Sequence, residues 1–245
     1  MIHYYNGPLI TKSKNRYDVE LLSKQWEEIK SKLNADQWVH YDHGCHHETA
    51  MQYSKYSTNK YIDSCIGVDS KGVHRSSFTN IKKLHDNKIK DETDFDTIVP
   101  EYKGTLFEQI LKDHEGCRGR VLGISSARNL AAHSGPSVYG RFHVVLPPTN
   151  YCCGFWFPNY GKIYHMPADG HVYWFNSQAT HTAINASENL KVRYHFAFTS
   201  AKMPPAGQKW AQNPYNWPEI ESDPPDEIQR LDEDKTDKGV FTTTS

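Results

Sequence analysis

Arg141-Phe142-His143-Val144-Val145-Leu146 and Lys191-Val192-Arg193-Tyr194-His195-Phe196-Ala197-Phe198 are the two stretches on which the fold turns. Side chains alternate faces along a strand. In the first stretch Arg141 and His143 share one face, and Phe142, Val144 and Leu146 share the other. In the second, Arg193 and His195 lie opposite Val192, Tyr194, Phe196 and Phe198. Two strands thus each pair an Arg/His face with an apolar face. If the apolar faces pack outward against helices, the Arg/His faces line an interior cationic cavity. Such a cavity is an anion site, because guanidinium meets carboxylate bidentately.

Around these two stretches, residues from about 119 to 199 read as short strands rich in Val, Tyr, Phe and Trp. They are Arg120–Ser125, Val138–Leu146, Cys153–Phe157, Lys162–Met166, His171–Asn176, Thr180–Ile184 and Lys191–Thr199, separated by turn residues such as Pro147-Pro148 and Ala168-Asp169-Gly170. Seven short strands at close spacing indicate a sandwich or jelly roll. Residues 1–118 are mixed, with helical signals. Asp18 caps a helix through about Asn34, with Val19, Leu22, Trp26, Ile29 and Leu33 on one stripe. Thr105 and Glu108 form a capping box before Leu106, Phe107, Ile110 and Leu111. A weaker helix is expected over 79–90. From Pro218 the chain turns acidic and poor in large apolar residues, and reads as flexible or draped over the surface. The expected architecture is α+β with a mainly β core at about 119–200. One domain spans 1–217, and an acidic tail spans 218–245.

Composition bounds the function. At 245 residues the chain is long enough for one domain or at most two, taking roughly 150 residues per domain. The formal net charge of −1 leaves no global field for DNA or an anionic membrane, so nucleic acid is disfavoured, although a local groove needs only a few Lys, Arg and aromatics. No run is long and apolar enough to span a membrane, and no secretory signal opens the sequence. The five Cys (45, 65, 117, 152 and 153) form no CxxC pair, which fits a reducing, cytoplasmic setting.

Fourteen His is the unusual count, and six fall in the strand zone. His133 precedes Ser-Gly-Pro, and His181 follows a polar turn and begins a strand. Two His beside an open face are the core of a non-haem iron site. The segment His40-Tyr41-Asp42-His43-Gly44-Cys45-His46-His47-Glu48 lacks the HExxH order and reads better as a loop at a cavity mouth than as a second metal site. Trp38, Tyr41 and Trp156 are candidates to touch substrate at such a mouth, although aromatic core is the default reading of all three. Cys152 and Cys153 read as small buried hydrophobes.

The pieces HSGP (133–136), RFHVVLP (141–147), ADGHVYWFN (168–176) and HTAINAS (181–187), followed by Arg193, together resemble the aspartyl/asparaginyl β-hydroxylase family of iron(II)- and 2-oxoglutarate-dependent dioxygenases. The likeness covers about 80 residues, in order and at matching spacing. It implies a double-stranded β-helix (jelly-roll, cupin-like) with N-terminal supporting helices. It implies that His133 and His181 bind Fe(II) and that Arg193 holds the distal carboxylate of 2-oxoglutarate, with Lys191 as the nearest competitor. Arg141 and His143 would lie beside the cosubstrate, and Ser125 or Ser126 would add a hydrogen bond to it. Asn185 would stabilise a turn, and His195 would be a buried, satisfied imidazole or a supporting residue. The implied reaction uses O2 to hydroxylate an amino-acid side chain, free or within a polypeptide, with succinate and CO2 as co-products. Gly135 stands where the commoner triad has a carboxylate. That opening keeps halogenation as an alternative, and a non-catalytic cupin-like module is the alternative outside enzymes. Asp169 is poorly placed to replace the missing ligand.

Overall fold

The computed structural model describes residues 5, 7–41, 46–75, 78–135, 139–149, 153–202, 211 and 213–222, with backbone alone at 41, 74 and 75. Its strands are β1 (Ile10–Arg16), β2 (Val39–Tyr41), β3 (His46–Ala50), β4 (Gln52–Tyr53), β5 (Gly67–Asp69), β6 (His74–Arg75), β7 (Thr97–Ile98), β8 (Gly116–Ser125), β9 (Arg128–Asn129), β10 (Arg141–Leu146), β11 (Cys153–Phe157), β12 (Lys162–His165), β13 (His171–Phe175), β14 (Thr182–Asn185) and β15 (Val192–Ser200). The α-helices are α1 (Val19–Lys30), α2 (Phe78–Leu84) and α3 (Leu106–Asp113). Among the described residues the strands form a nine-stranded sheet, β1-β13-β10-β15-β8-β3-β2-β5-β6, a four-stranded sheet, β12-β11-β14-β9, and a small β4-β7 pair. The paired strands run antiparallel. The chain is therefore mostly β, with few helices.

The alternation read from the sequence sets the layers. Phe142, Val144, Leu146, Phe196 and Phe198 face α1 and α3, where they pack on Leu22, Trp26, Ile29, Phe107 and Ile110. Phe142 and Phe198 stack at 5.1 Å across β10 and β15. Fully burying a side chain of this size contributes roughly 1.5–3 kcal/mol. The opposite face of the large sheet carries Val145, Tyr173 and Phe175, which pack on Phe155, Phe157, Tyr164 and Ala183 of the small sheet. Helices thus cover one side of the large sheet and the small sheet covers the other.

The helix caps form as their residues dictate. The Asp18 carboxylate accepts from the Leu21 N–H at 2.9 Å, and Glu108 accepts from the Gly104 N–H at 2.7 Å. α1 ends at Lys30, short of the expected Asn34, yet Leu33 still packs on the core. The helix expected over 79–90 stops at Leu84, because Asp86 and Asn87 take left-handed φ values of 52° and 56°. The strands within residues 10–75 are further findings, since that region read as mixed with helical signals; they widen the large sheet beyond the 119–200 core. The expected strand start at Val138 and the motif residue Pro136 lie outside the described residues.

Residues on both sides of the expected boundary at 217 pack on the fold. Tyr215 and Trp217 stack at 5.1 Å and set their edges against Phe142. Beyond the expected limit at 217, Pro218 O accepts from Lys12 N at 3.0 Å, and Ile220 N donates to Ile10 O at 3.1 Å. The start of the acidic tail is therefore draped along β1 by backbone bonds that composition does not report. Residues 223–245 lie outside the described residues. Among the described residues, no helix is long and apolar enough to cross a membrane.

Candidate functional site

Between the two sheets lies a cavity of about 630 Å3. Its lining includes Arg141 and His143 from β10, Arg193 and His195 from β15, Arg118 and Arg120 from β8, and His133 and His181. Pairing across the large sheet sets their order. Arg193 lies opposite Ile124, His195 opposite Leu122, and Ala197 opposite Arg120. His143 pairs with Ala197 on the other side of β15.

His133 and His181 meet across an isolated antiparallel bridge, with backbone N–H···O distances of 2.9 Å in both directions. Their ring centroids are 4.4 Å apart. His133 Nδ1 lies 2.8 Å from Ala131 O, and His181 Nδ1 lies 2.7 Å from Ala179 O. A carbonyl only accepts, so each Nδ1 must carry the proton. Each neutral ring then keeps its lone pair on Nε2, the tautomer that a metal-binding imidazole needs. Burial, and then the neighbouring His133, hold the His181 pKa down at about 3, so this ring stays neutral over the physiological range. Phe175 sets its face edge-on to His181 at 4.5 Å and fixes the ring. Two such imidazoles fit a borderline metal such as iron, zinc or copper. Among the described residues no third His, Cys, Asp or Glu joins them. Gly135 donates its N–H to Ser177 O at 2.7 Å, and a Cβ there would meet that oxygen at 3.3 Å. The backbone is thus drawn close where a carboxylate side chain would start.

Arg193 is wholly buried. Its Nη1 donates to Gly154 O at 3.3 Å and to Ile184 O at 3.2 Å, and its guanidinium lies over the Phe155 ring. Nε and Nη2, which form the side fork that grips a carboxylate bidentately, have no partner among the described residues. Among the described residues no carboxylate is paired with the group, and burial lowers its pKa to about 10. A buried cation without a counterion is costly, and a fork of this kind suits an anion. Lys191, the alternative, is exposed.

His143 and His195 face each other, Nδ1 to Nδ1, at 3.3 Å. Burial, and then the charge of Arg193, push both well below the usual histidine pKa. His195 is buried but not satisfied, since its Nε2 has no partner among the described residues. Arg141 lines the cavity but is held by Glu92 through Nη1 at 2.9 Å and Nη2 at 2.6 Å. Asn185 does stabilise a turn: its amide donates to Ile124 O and Leu190 O. Asp169 is engaged by Lys12 at 2.7 Å and by the Tyr173 hydroxyl, and does not line the cavity.

Other expected residues fall elsewhere. Ile124 faces the cavity, so alternation turns Ser125 away, and its hydroxyl lies 3.0 Å from His47 Nε2. Ser126 donates to Ser187 O at 2.7 Å and so ties down the turn before β15. Trp38 packs edge-on against Trp26 in the helical layer, and Trp156 is exposed on the outer face of the small sheet. The side chain of Tyr41 and residue Cys152 lie outside the described residues; Cys153 is buried as expected. In the His-rich segment, residues 42–45 are also outside them. His40 and His47 pair across β2 and β3 with their Nδ1 atoms 2.8 Å apart, while His46 and Glu48 reach the cavity.

Sequence reading missed Arg118 and Arg120 and their partners. Arg118 bonds Glu92, and Arg120 Nη1 bonds Glu48 Oε2 at 3.0 Å. Starting β8 two residues earlier would have exposed Arg118-x-Arg120 as another one-faced pair. In comparisons with known proteins, no family model matches the chain, and no curated protein matches it.

Proposed function

We propose that the chain is an iron(II)- and 2-oxoglutarate-dependent dioxygenase that hydroxylates an amino-acid side chain, free or within a polypeptide. One observation carries this reading: the cavity that holds two imidazoles locked in the metal-binding tautomer also holds Arg193, a buried guanidinium with an empty fork. The strand order supports a double-stranded β-helix. From β8 to β15 the chain fills two four-strand blocks, β13-β10-β15-β8 and β12-β11-β14-β9, in jelly-roll order.

In this reading His133 and His181 hold the iron through Nε2, and Ala131 O and Ala179 O orient them. Arg193 takes the distal carboxylate of 2-oxoglutarate at Nε and Nη2, and its Nη1 bonds keep that fork aimed inward. His143 and His195, both neutral, leave the charge of Arg193 uncompensated until the cosubstrate arrives. The Arg141–Glu92 pair stiffens the wall beside it. Phe155 and Phe175 exclude water from the space between. When bound, iron(II) with 2-oxoglutarate and O2 supplies the oxidation of a C–H bond, with succinate and CO2 as co-products.

The test is succinate formation from 2-oxoglutarate by the full chain with Fe(II) and O2. Turnover that stops with a chelator and returns with Fe(II) is expected. No metal binding and no succinate would leave a cupin-like binding module. Gly135, which offers no carboxylate two residues after His133, supports one variant of the reading, in which a halide would take that position. A chlorinated product formed in chloride would select it.

A further inference from the structure

Arg118 and Arg120 are 1% and 4% exposed, yet each keeps a buried donor without a partner among the described residues: Nη2 of Arg118 and Nε of Arg120. Arg118 Nε donates to Ser64 O at 3.0 Å and its Nη1 to Glu92, which leaves Nη2 as the open nitrogen. Here three arginines, Arg118, Arg120 and Arg141, share two carboxylates, Glu48 and Glu92. The two donors left over, Arg118 Nη2 and Arg120 Nε, lie in a desolvated wall, where an unpaired charged donor is expensive.

The backbone adds a second observation. Arg118 has φ of 52°, in the left-handed region, beside the irregular step in the β8–β15 pairing. A non-glycine residue held there is strained and persists only where the surroundings enforce it. A bulge of this kind re-aims a side chain, and here the re-aimed side chain is a buried arginine that lines the cavity.

Position separates this group from Arg193. On β8 the partner of Arg193 is Ile124, four residues beyond Arg120. At about 3.3 Å per residue the two rows lie roughly 13 Å apart. The cavity therefore has two cationic ends, with room for one anion at Arg193 and a second at the far end.

We propose that Arg118 and Arg120 form a second anion pocket that binds the carboxylate of a small-molecule substrate, at the end of the cavity opposite Arg193. A monoanionic carboxylate has two oxygens for the two open donors, and Glu48, Asp91 and Glu92 in the same lining disfavour a dianionic phosphate. The deep burial of both donors suits a terminal carboxylate better than an internal residue of a passing polypeptide. The inference rests on the dioxygenase reading only in calling the ligand a substrate.

The test is an NMR titration of the full chain, reading the arginine Nε–H signals, with 2-oxoglutarate present and acetate, a monocarboxylate, as the probe. The expected result is saturable movement of the Arg118 and Arg120 signals while the Arg193 signal stays in its 2-oxoglutarate-bound position. Losing a charge-assisted bond costs roughly 1.5–3 kcal/mol, so the paired variant Glu48→Gln/Arg120→Gln should weaken acetate at least about tenfold and leave 2-oxoglutarate binding unchanged. Acetate that moves only the Arg193 signal overturns the proposal, and so does inorganic phosphate that displaces acetate at equal concentration. The wild-type titration decides the matter even if the variant does not fold. It reads guanidinium groups without turnover, so a failure of the dioxygenase reading appears separately, as absent succinate.

Discussion

Two histidine pairs stand directly opposite each other across antiparallel backbone, with ring centroids 4.4 Å and 5.0 Å apart, and they differ in what they can do. In the His133/His181 pair each Nδ1 is tied to a backbone carbonyl, and both Nε2 lone pairs remain. In the His40/His47 pair the two Nδ1 atoms face each other at 2.8 Å and must share one proton, while His47 Nε2 turns to Ser125. The contrast lies in the hydrogen bond at the far nitrogen, which decides whether Nε2 is left able to bind a metal, and that bond is set by whether the flanking backbone turns a carbonyl toward the ring.

The sharpest way to break this contrast is to delete one ring from each pair. His181→Ala should weaken metal binding by more than about 100-fold, beyond the range set by losing an outer partner alone, and should abolish succinate formation. His47→Ala should leave both within about twofold. Chelator competition on the two variants gives the answer, and equal losses would erase the distinction. Next in size is the anion fork. Arg193→Gln should raise the 2-oxoglutarate concentration needed for half-saturation by roughly 10–100-fold, since it removes charge-assisted bonds. Lys191→Gln should not move it, and a shift there instead would transfer the role.

A third test concerns acid. Arg120 beside it, with His46 and the Ile66 N–H, holds the buried Glu48 carboxyl at about 2 against the cost of burial. A depressed carboxyl pKa adds stability that is present above about pH 4.5 and lost as pH falls toward 2. Glu48→Gln should therefore cost roughly 3 kcal/mol near neutral pH and flatten the fall in stability over that window, as read by denaturant melts. The smallest effect is expected at Trp156, which is exposed and off the cavity. Trp156→Ala should change stability by less than about 0.5 kcal/mol and leave cosubstrate saturation unchanged.

What the sequence made legible follows from periodicity. The faces of β10 and β15 could be read directly, because every second residue there is large and apolar. The inward face of Arg193 could be read too, from Val192 and Tyr194, but Lys191 between Leu190 and Val192 reads alike, and only its exposure separates the two. The caps at Asp18 and Thr105 are local hydrogen bonds and needed no tertiary knowledge. The first strands were illegible because β1 and β3, Ile10-Thr-Lys-Ser-Lys-Asn-Arg16 and His46-His-Glu-Thr-Ala50, are polar and become strands only by pairing with β13 and β8. Glu48 and Glu92 reach their arginines from sequence separations of 72 and 26 residues, which no spacing rule reports. Ser125 was misplaced although parity was enough to exclude it, once Ile124 is given to the cavity.

The segment that carries Tyr215, Trp217 and Ile220 has a consequence for how copies of the chain behave together. β1 ends the large sheet, and its outer backbone groups would otherwise be open to another strand. Pro218 and Ile220 occupy those groups, and the two aromatic rings shield Phe142. A chain shortened to residue 212 would present a bare strand beside an uncovered phenylalanine. It should then self-associate edge to edge, with sedimentation that depends on concentration where the full chain's does not.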